Sequence, residues 1–187
     1  MADPLTPDEV GSLLSKAGIG YVGSRDRAYL SLLYGCGLRN NECRMLDLSD
    51  LRQEKDPWTV RVRHPKGEAR GTPHRELGVP GIARVMLSDW LSLRGPSPGP
   101  LFLTASNRRV DTSHYRRRVP QLAKAAGIVR RVHPHAFRHT FAREMNDEGV
   151  SMRIIQLALG HSNLNTTATY LQSLGDPEVI AATGSRK

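Results

Sequence analysis

The sequence predicts a mostly helical domain of the α+β class, with a small antiparallel β-sheet beside the helices. Apolar residues recur at helical spacing through most of the chain, and glycines follow the apolar stretches where helices would end. One segment, WTVRVRH (residues 58–64), instead alternates apolar and polar residues as a half-buried strand does. With 39% hydrophobic residues, the 187-residue chain is long enough to bury a core. No repeat or linker divides it, so we expect one domain over residues 1–187.

The predicted helices begin and end at capping residues. LTPDEV places Thr6 as an N-cap, Pro7 at the first helical position and Glu9 where it closes a capping box. A second helix is predicted from about residue 24 to residue 34, with Gly35 ending it. By the same signals, further helices are predicted from about residue 41 and over residues 81–93, 112–126, 136–147 and 151–159.

The sheet is predicted from a hairpin in the first half of the chain. The strand at 58–64 is followed by the turn-forming tripeptide Pro65-Lys66-Gly67, and the return strand is predicted to end at residues 77–79. The proline-rich segment GPSPGP (95–100) predicts a rigid connector between helices. The hairpin is therefore inserted into an otherwise helical series.

Charge and cysteine usage narrow the class of protein. The chain has 27 Lys and Arg against 18 Asp and Glu, a net charge of +9, which favours a polyanionic partner such as nucleic acid; a charge that serves only solubility is the alternative. Cys36 and Cys43 match neither a zinc spacing nor a secreted disulfide framework, so we interpret them as reduced thiols in a cytoplasm. No apolar run approaches the roughly 20 residues of a membrane span, and the first ten residues are not a signal peptide.

A cationic helix face is predicted in the segment HPHAFRHTFAREM. His135, Arg138 and His139 share one face by their spacing, while an apolar stripe from Phe137 to Met145 would bury the opposite side. Such a face suits a phosphate. Two alternatives remain open at this point: a metal site, although the zincin motif requires Glu where this chain has Ala136, and a purely structural helix with surface histidines.

A second candidate feature is the segment GCGLRNNECRMLDL. It places Arg39 directly after a glycine turn and Glu42 three residues later, at the start of a helix. A carboxylate there can hold the guanidinium in a bidentate pair while the remaining N–H donors face a ligand. Alone, the same pattern would describe an ordinary surface ion pair.

Together, three segments in order resemble the tyrosine recombinases, the phage-integrase-like DNA strand exchangers. They are GLRNNE (37–42), HAFRHTFA (135–142) and LGHSNLNTTATY (159–170), in which a histidine precedes a tyrosine by nine residues. The similarity extends over nearly the whole chain, from LTPDEV onward. It implies the catalytic-domain fold of that family, and it implies that Tyr170 is a nucleophile.

The resemblance implies a catalytic residue for each step of a DNA cleavage. By it, the arginines clamp the phosphodiester, the histidines bind the phosphate or accept the tyrosine's proton, and a hairpin lysine protonates the departing 5′ oxygen. Lys66 takes that last role, although its return loop, GEARGTPHRELGVP, is longer than the family's usual one. The residues concerned are Arg39, Lys66, His135, Arg138, His161 and Tyr170, with Glu42 in support. Because a 3′-phosphotyrosine conserves bond energy, no cofactor or metal is expected.

The resemblance also implies partners and a place of action. Double-stranded DNA is the expected partner, bound by a protein that is monomeric when free and assembles up to a tetramer on DNA, in the cytoplasm of a prokaryotic cell. The candidate phosphate contacts are Arg108, Arg109, Arg116, Arg117, Arg118, Arg130 and Arg131. For each of them, a position on a solvated basic face is an equally good interpretation.

Two expectations concern the ends of the chain. Only 38 residues precede Arg39, so the family's usual N-terminal core-binding domain is expected to be absent, either because the chain is a fragment or because it is a minimal recombinase. Residues 171–187 are expected to form a tail that packs on a neighbouring protomer in the assembled complex and lies loose or on its own protomer otherwise.

Three functions remain to be distinguished. The first is a site-specific recombinase acting in integration, excision or resolution. The second is a type IB topoisomerase-like enzyme, which would use the same residues to relax DNA. The third is a non-catalytic DNA-binding module, which predicts the loss of at least one catalytic residue type; all the expected types are present.

Overall fold

The domain is a helical assembly with one small sheet, as predicted. A computed structural model describes residues 4–54, 56–63, 74–160, 180–181 and 183–185. Within these ranges the helices are α1 (Pro7–Lys16), α2 (Gly20–Cys36), α3 (Asn40–Met45), α4 (Gly81–Arg94), α5 (His114–Ala125), α6 (Pro134–Asp147) and α7 (Met152–Leu159). The strands are β1 (Leu51–Arg52), β2 (Thr59–Val62) and β3 (Arg75–Gly78), and a 3₁₀ turn covers Leu48–Asp50. No helix in the described ranges is long and apolar enough to cross a membrane.

Helix α2 forms the centre of the domain. Ala28, Leu30, Leu32 and Leu33 are fully buried although they point in different directions from its axis, as expected of a helix surrounded by protein. Helices α1, α4 and α6 pack around it, and α7 packs against α6 and β3. The helix that carries His135 and Arg138 therefore lies against both α2 and α7.

Local capping signals give several of the helix ends. Thr6 caps α1, and its side chain and that of Glu9 exchange hydrogen bonds with each other's backbone, so the predicted capping box is confirmed. The prediction that Gly35 ends α2 is wrong, because the helix runs on to Cys36 and Gly37 adopts the left-handed conformation, with φ of 60°. Gly35 lies inside the helix where Pro80 packs against it: a Cβ there would come within 2.5 Å of the proline ring. Its small size serves packing rather than termination.

Gly37 offers a test of this helix end. A Cβ at Gly37 would lie 2.5 Å from Cδ1 of the buried Phe141 ring, in addition to the left-handed strain. We expect Gly37→Ala to lower the free energy of unfolding by about 3 kcal/mol, roughly 1 from strain and roughly 2 from crowding. Gly127→Ala is the matched control, because Gly127 also has a positive φ (76°) but open space around it; it should cost about 1 kcal/mol. Equal losses in urea unfolding would contradict the crowding argument.

The sheet is antiparallel with strand order β1-β2-β3. Strand β2 pairs with β3 so that Thr59 faces Gly78 and Val62 faces Arg75. Val60 and Val62 are buried, which confirms the alternation predicted for this strand. Strand β1 was not predicted, because two residues are too few to show an alternation of apolar and polar side chains. The turn predicted at residues 65–67 lies outside the described residues.

The described residues near the C-terminus pack on the sheet of the same chain. A Cβ at Gly78 would overlap the carbonyl oxygen of Ile180, and a Cβ at Gly184 would lie 2.6 Å from the ring of Pro57. Thr183, between Ile180 and Gly184 in sequence, is fully buried. The predicted tail (171–187) lies mostly outside the described residues, and its packing on a neighbouring protomer stays a prediction.

A buried ion-pair network fixes α5 against α2. Asp26 is completely buried, and its carboxylate accepts from Arg25 Nη2 at 2.9 Å, Tyr115 OH at 3.0 Å and Arg118 Nε at 2.8 Å. Burial would raise the pKa of Asp26, but His114, Arg118 and Arg25 overcome this and lower it from 3.8 to about 2. The carboxylate is therefore ionised at any ordinary pH, and it holds two arginines in place.

Candidate active site

Arg39 lies in the short connection between α2 and α3, beside Glu42 in the first turn of α3. Its Nη1 donates to Oε1 of Glu42 at 2.7 Å, and its backbone N–H donates to Oε2 at 2.7 Å. The predicted pairing of these two residues is present. The expectation of a bidentate guanidinium–carboxylate pair between them is wrong, because Glu42 makes that kind of pair with another arginine.

The bidentate partner of Glu42 is Arg75, at the start of β3. Its Nη2 and Nη1 donate to the two carboxylate oxygens at 2.8 and 3.2 Å, and its Nε donates to the carbonyl oxygen of Ala158 at 2.8 Å. Sequence reasoning missed this residue. A signal existed: Arg75 precedes the buried Leu77 by two positions, so both side chains point to the inner face of the strand. An arginine on an inner face implies a buried anionic partner.

Arg138, on α6, completes a cluster of three arginines. It is 4% exposed, and its Nη1 and Nη2 donate to the carbonyl oxygens of Gly37 at 2.9 Å and Leu159 at 2.5 Å. The first carbonyl belongs to the turn before Arg39 and the second to the end of α7. The predicted apolar stripe of α6 is confirmed, since Phe137, Phe141 and Met145 are fully buried. That burial fixes the helix from which Arg138 extends.

The arginine cluster carries more positive than negative charge. Burial would raise the pKa of Glu42, but Arg75 and then Arg39 lower it from 4.5 to about 2. Burial, followed by the nearby Arg39, lowers the pKa of Arg138 from 12.5 to about 9. At pH 7 three guanidinium cations therefore share one carboxylate among the described residues. An anion bound here would relieve their repulsion.

Two histidines of α6 lie at the edge of the cluster. The rings of His135 and His139 meet edge to face, with centroids 4.6 Å apart. Desolvation, then the positive fields of His139, Arg138 and Arg39, lower the pKa of His135 below its usual 6.5. His135 is therefore mainly neutral at pH 7, the form that can accept a proton.

Three of the predicted catalytic residues, Lys66, His161 and Tyr170, lie outside the described residues. The residue directly before His161 is described: Gly160 ends α7 in a left-handed conformation, and its carbonyl oxygen accepts from Arg39 Nη2 at 3.2 Å. The backbone thus passes the arginine cluster immediately before His161. The structure brings Arg39, Glu42 and Arg138 together, with His135 beside them.

The seven arginines predicted to contact DNA divide into two groups. Three that are partly buried bind acids of this chain: Arg109 binds Asp47 at 2.5 Å, Arg118 binds Asp26 at 2.8 Å, and Arg130 binds Glu9 at 2.5 Å. Among the exposed ones, Arg117 also pairs with the exposed Asp111, at 3.3 Å. The side chains that are exposed are Arg108, Arg116, Arg117 and Arg131. The exposed group faces solvent, whereas the other three hold acids of their own chain. DNA contact by any of the seven stays a prediction.

The metal alternative finds no support in the described ranges. No group of three or more His, Cys, Asp or Glu side chains there is arranged to hold a metal ion. His135 and His139 instead have a cationic neighbour, Arg138, which disfavours a bound cation.

Comparison with known proteins agrees with this geometry. The model of the phage integrase family matches residues 4–175. Tyrosine recombinase XerC of Shewanella amazonensis is 34% identical over 169 residues, which are 89% of this chain and 55% of that protein. A tyrosine recombinase of Pseudothermotoga lettingae is 36% identical over 171 residues, 90% of this chain and 56% of the relative. The chain thus spans about half the length of these curated relatives.

Solved structures show the same fold. The crystal structure of XerA recombinase superposes with a TM-score of 0.74 at 31% identity, covering 87% of this chain and 57% of the other. XerH recombinase bound to its difH substrate superposes with a TM-score of 0.73 at 22% identity, covering 88% and 49%. The family model and the relatives of more than 30% identity, together with an arginine cluster that includes residues of GLRNNE and HAFRHTFA, establish that the chain belongs to the phage integrase family.

Proposed function

We propose that this chain is the catalytic domain of a site-specific DNA recombinase that cleaves and rejoins duplex DNA through a 3′-phosphotyrosine at Tyr170. The observation that carries the proposal is the cluster of three guanidinium groups around the buried carboxylate of Glu42, with Arg75 and Arg138 buried and Arg39 partly exposed. Its unbalanced positive charge suits a phosphodiester, and it lies beside the turn that leads into His161.

The arginines supply charge stabilisation. In the attack on a phosphodiester, negative charge develops on the non-bridging oxygens, and donors fixed in advance stabilise it most. Arg138 is held by two carbonyls and Arg39 by Glu42, so neither has to reorganise when the phosphate arrives. Both keep N–H donors beyond those used in these bonds, because a guanidinium has five.

The proton transfers follow from the remaining groups. The Tyr170 oxygen bonds to phosphorus as the bond to the 5′ oxygen breaks, and the phenolic proton passes to a base. His135, neutral at pH 7, is suited to accept that proton, and the alternative is that it holds the phosphate. His161 donates to the phosphate, and Lys66 protonates the departing 5′ oxygen. The 5′ hydroxyl of another strand then reverses the reaction, so recombination needs no ATP, and activity in chelator is expected.

Duplex DNA and further copies of the chain are the proposed partners. The solved neighbours include XerH with its difH substrate and a transposon integrase with circular intermediate DNA, which supports DNA as the ligand. We further propose a free monomer that assembles up to a tetramer on DNA in the cytoplasm, with residues 171–187 packing between protomers. The exposed arginines should make binding steeply dependent on salt.

Covalent trapping tests the proposal. Wild type, Tyr170→Phe and the control Tyr21→Phe are incubated in chelator with nicked duplexes tiled across the DNA that flanks the gene, then quenched in SDS. Wild type and the control should form a protein–DNA adduct that peptide mass mapping places on Tyr170, and Tyr170→Phe should form none, because phenylalanine has no nucleophilic oxygen. Tyr21 is the control because, within the part of the chain that the structure describes, its hydroxyl donates to the backbone carbonyl of Thr104, and neither residue belongs to the arginine cluster.

Two results would contradict the proposal: an adduct from Tyr170→Phe, or no adduct from wild type at low salt. Transfer of the trapped strand to a second duplex distinguishes recombination from a topoisomerase-like reaction, which reseals the original strand only.

A further inference from the structure

Arg75 has no assigned part in the proposed reaction, yet it is bonded into the centre of the site. Its side chain is 9% exposed and Glu42's is 7% exposed, so the pair is shielded from solvent. Three of its five N–H donors are bound: two to the oxygens of Glu42 and Nε to the carbonyl of Ala158. Such a forked, three-point contact fixes the orientation of both partners.

These contacts join the segments that carry the proposed phosphate ligands. Glu42 receives the side chain and the backbone N–H of Arg39. Ala158 and Gly160 lie at the end of α7, and Gly160 accepts a hydrogen bond from Arg39. Gly160 also approaches Arg75 closely, since a Cβ there would lie 2.7 Å from Nη1 of Arg75. Arg75 therefore contacts both groups that orient Arg39.

Arg39 depends on these neighbours for its direction. Its side chain is 40% exposed, so little packing restricts its rotamers. Glu42 has two carboxylate oxygens, and Arg75 binds both, which sets the plane in which Glu42 can receive Arg39. A buried ion pair contributes little to stability compared with a well-packed apolar pair, so its presence here fits a role in geometry.

We propose that Arg75 is a positioning residue for phosphate binding: by holding Glu42 and the end of α7, it directs the guanidinium of Arg39 toward the scissile phosphate without touching DNA itself. This inference rests on the proposed function, because it assigns Arg39 to the phosphate of that reaction. It extends the function to a residue at the start of β3, the return strand of the hairpin.

A double-mutant cycle tests the proposal with the trapping assay on the same nicked duplexes. Arg75→Lys keeps the positive charge but cannot form the fork, and a displacement of about 1 Å at a reacting group lowers rates by up to about 10²-fold. We expect Arg75→Lys to slow adduct formation at least about 10-fold in the wild-type background. In an Arg39→Lys background the same change should cost less than about 3-fold, because the residue through which it acts is already replaced.

Arg25→Lys is the matched control. Arg25 is likewise buried and donates two N–H groups to a buried acid, Asp26, but lies outside the arginine cluster. Its adduct rate, measured below its unfolding temperature, should stay within about 3-fold of wild type. Equal slowing by Arg75→Lys in both backgrounds, or slowing no greater than that of Arg25→Lys, would overturn the proposal, since either result describes a residue that only stabilises the fold.

A second readout does not depend on DNA cleavage. The Nε–Hε signal of Arg39, assigned by its loss in Arg39→Lys, is followed by NMR as inorganic phosphate is added. The signal should shift in wild type and Arg25→Lys, and shift less than half as far in Arg75→Lys or, if that variant does not fold, in Arg75→Gln. An equal shift would overturn the role of Arg75 even where wild type forms no adduct, so the two proposals fail separately.

Discussion

Arg138→Met is expected to lower the rate of adduct formation by about 10³-fold, the upper range for loss of one fixed donor to a developing oxyanion. Arg138 is buried and bonded to the carbonyls of Gly37 and Leu159, so its donors are fixed before the phosphate arrives. The measurement is single-turnover trapping on a nicked duplex, with wild type and variant at equal salt.

The same substitution should change stability far less than activity. Burial and Arg39 lower the pKa of Arg138 to about 9, and a lowered pKa means that folding disfavours the charged form at pH 7. Removing the charge therefore relieves a cost of several kcal/mol, whereas the two lost hydrogen bonds cost about 1.5–3 kcal/mol each. We expect these effects to cancel to within about 2 kcal/mol in urea unfolding.

Arg143→Met is the control for this prediction. Arg143 lies on the same helix, but it is 68% exposed and pairs only with the exposed Asp147 at 3.5 Å among its described neighbours. Both its adduct rate and its unfolding midpoint should match wild type. An Arg138→Met variant that retains a tenth of the wild-type rate would show that Arg138 is not a phosphate ligand.

Asp26→Asn is expected to lower the free energy of unfolding by about 4 kcal/mol, because it leaves buried Arg25 without its counter-charge. Tyr115 OH binds Oδ1 of Asp26 and Arg118 Nε binds Oδ2, whereas asparagine has a single acceptor oxygen, so at least one of these contacts is lost and the attachment of α5 to α2 loosens. A loss of this size is a large share of a domain's stability. Urea unfolding at pH 7 measures it, with the exposed Asp147→Asn as a control that should leave the midpoint unchanged.

The pH dependence of unfolding checks the cause. The pKa of Asp26 is about 2 in the folded chain against 3.8 ordinarily, so its carboxylate stabilises the fold above pH 3.8 and loses that effect as the pH falls toward 2. Asp26→Asn should remove this contribution to the decrease in the free energy of unfolding at acid pH. The contribution of Glu42, whose pKa is lowered from 4.5 to about 2, should remain. If the free energy of unfolding depends on pH in the variant as it does in wild type, the charge of Asp26 does not stabilise the fold.

Local signals were sufficient for most of the elements. The capping box at Thr6 and Glu9, the alternation in β2 and the apolar stripe of α6 depend on residues a few positions apart, so sequence spacing predicts them directly. The segment that pairs Arg39 with Glu42 was also predictable, since the two residues are three positions apart at the start of a helix. The short strand β1 and the true end of α2 at Gly37 were not.

The sequence by itself therefore determined the fold class, most helix boundaries and the residue types of the candidate site. Only the tertiary structure decided which of those residues bond to one another. Arg75 binds Glu42, which lies 33 positions away in sequence, and Arg39 binds Gly160, which lies 121 positions away. It also decided that Arg109, Arg118 and Arg130 bind acids of their own chain. The physical reason is that the partner of a long-range ion pair depends on burial and on which distant elements pack together. Neither of these can be inferred from the spacing of residues along the chain.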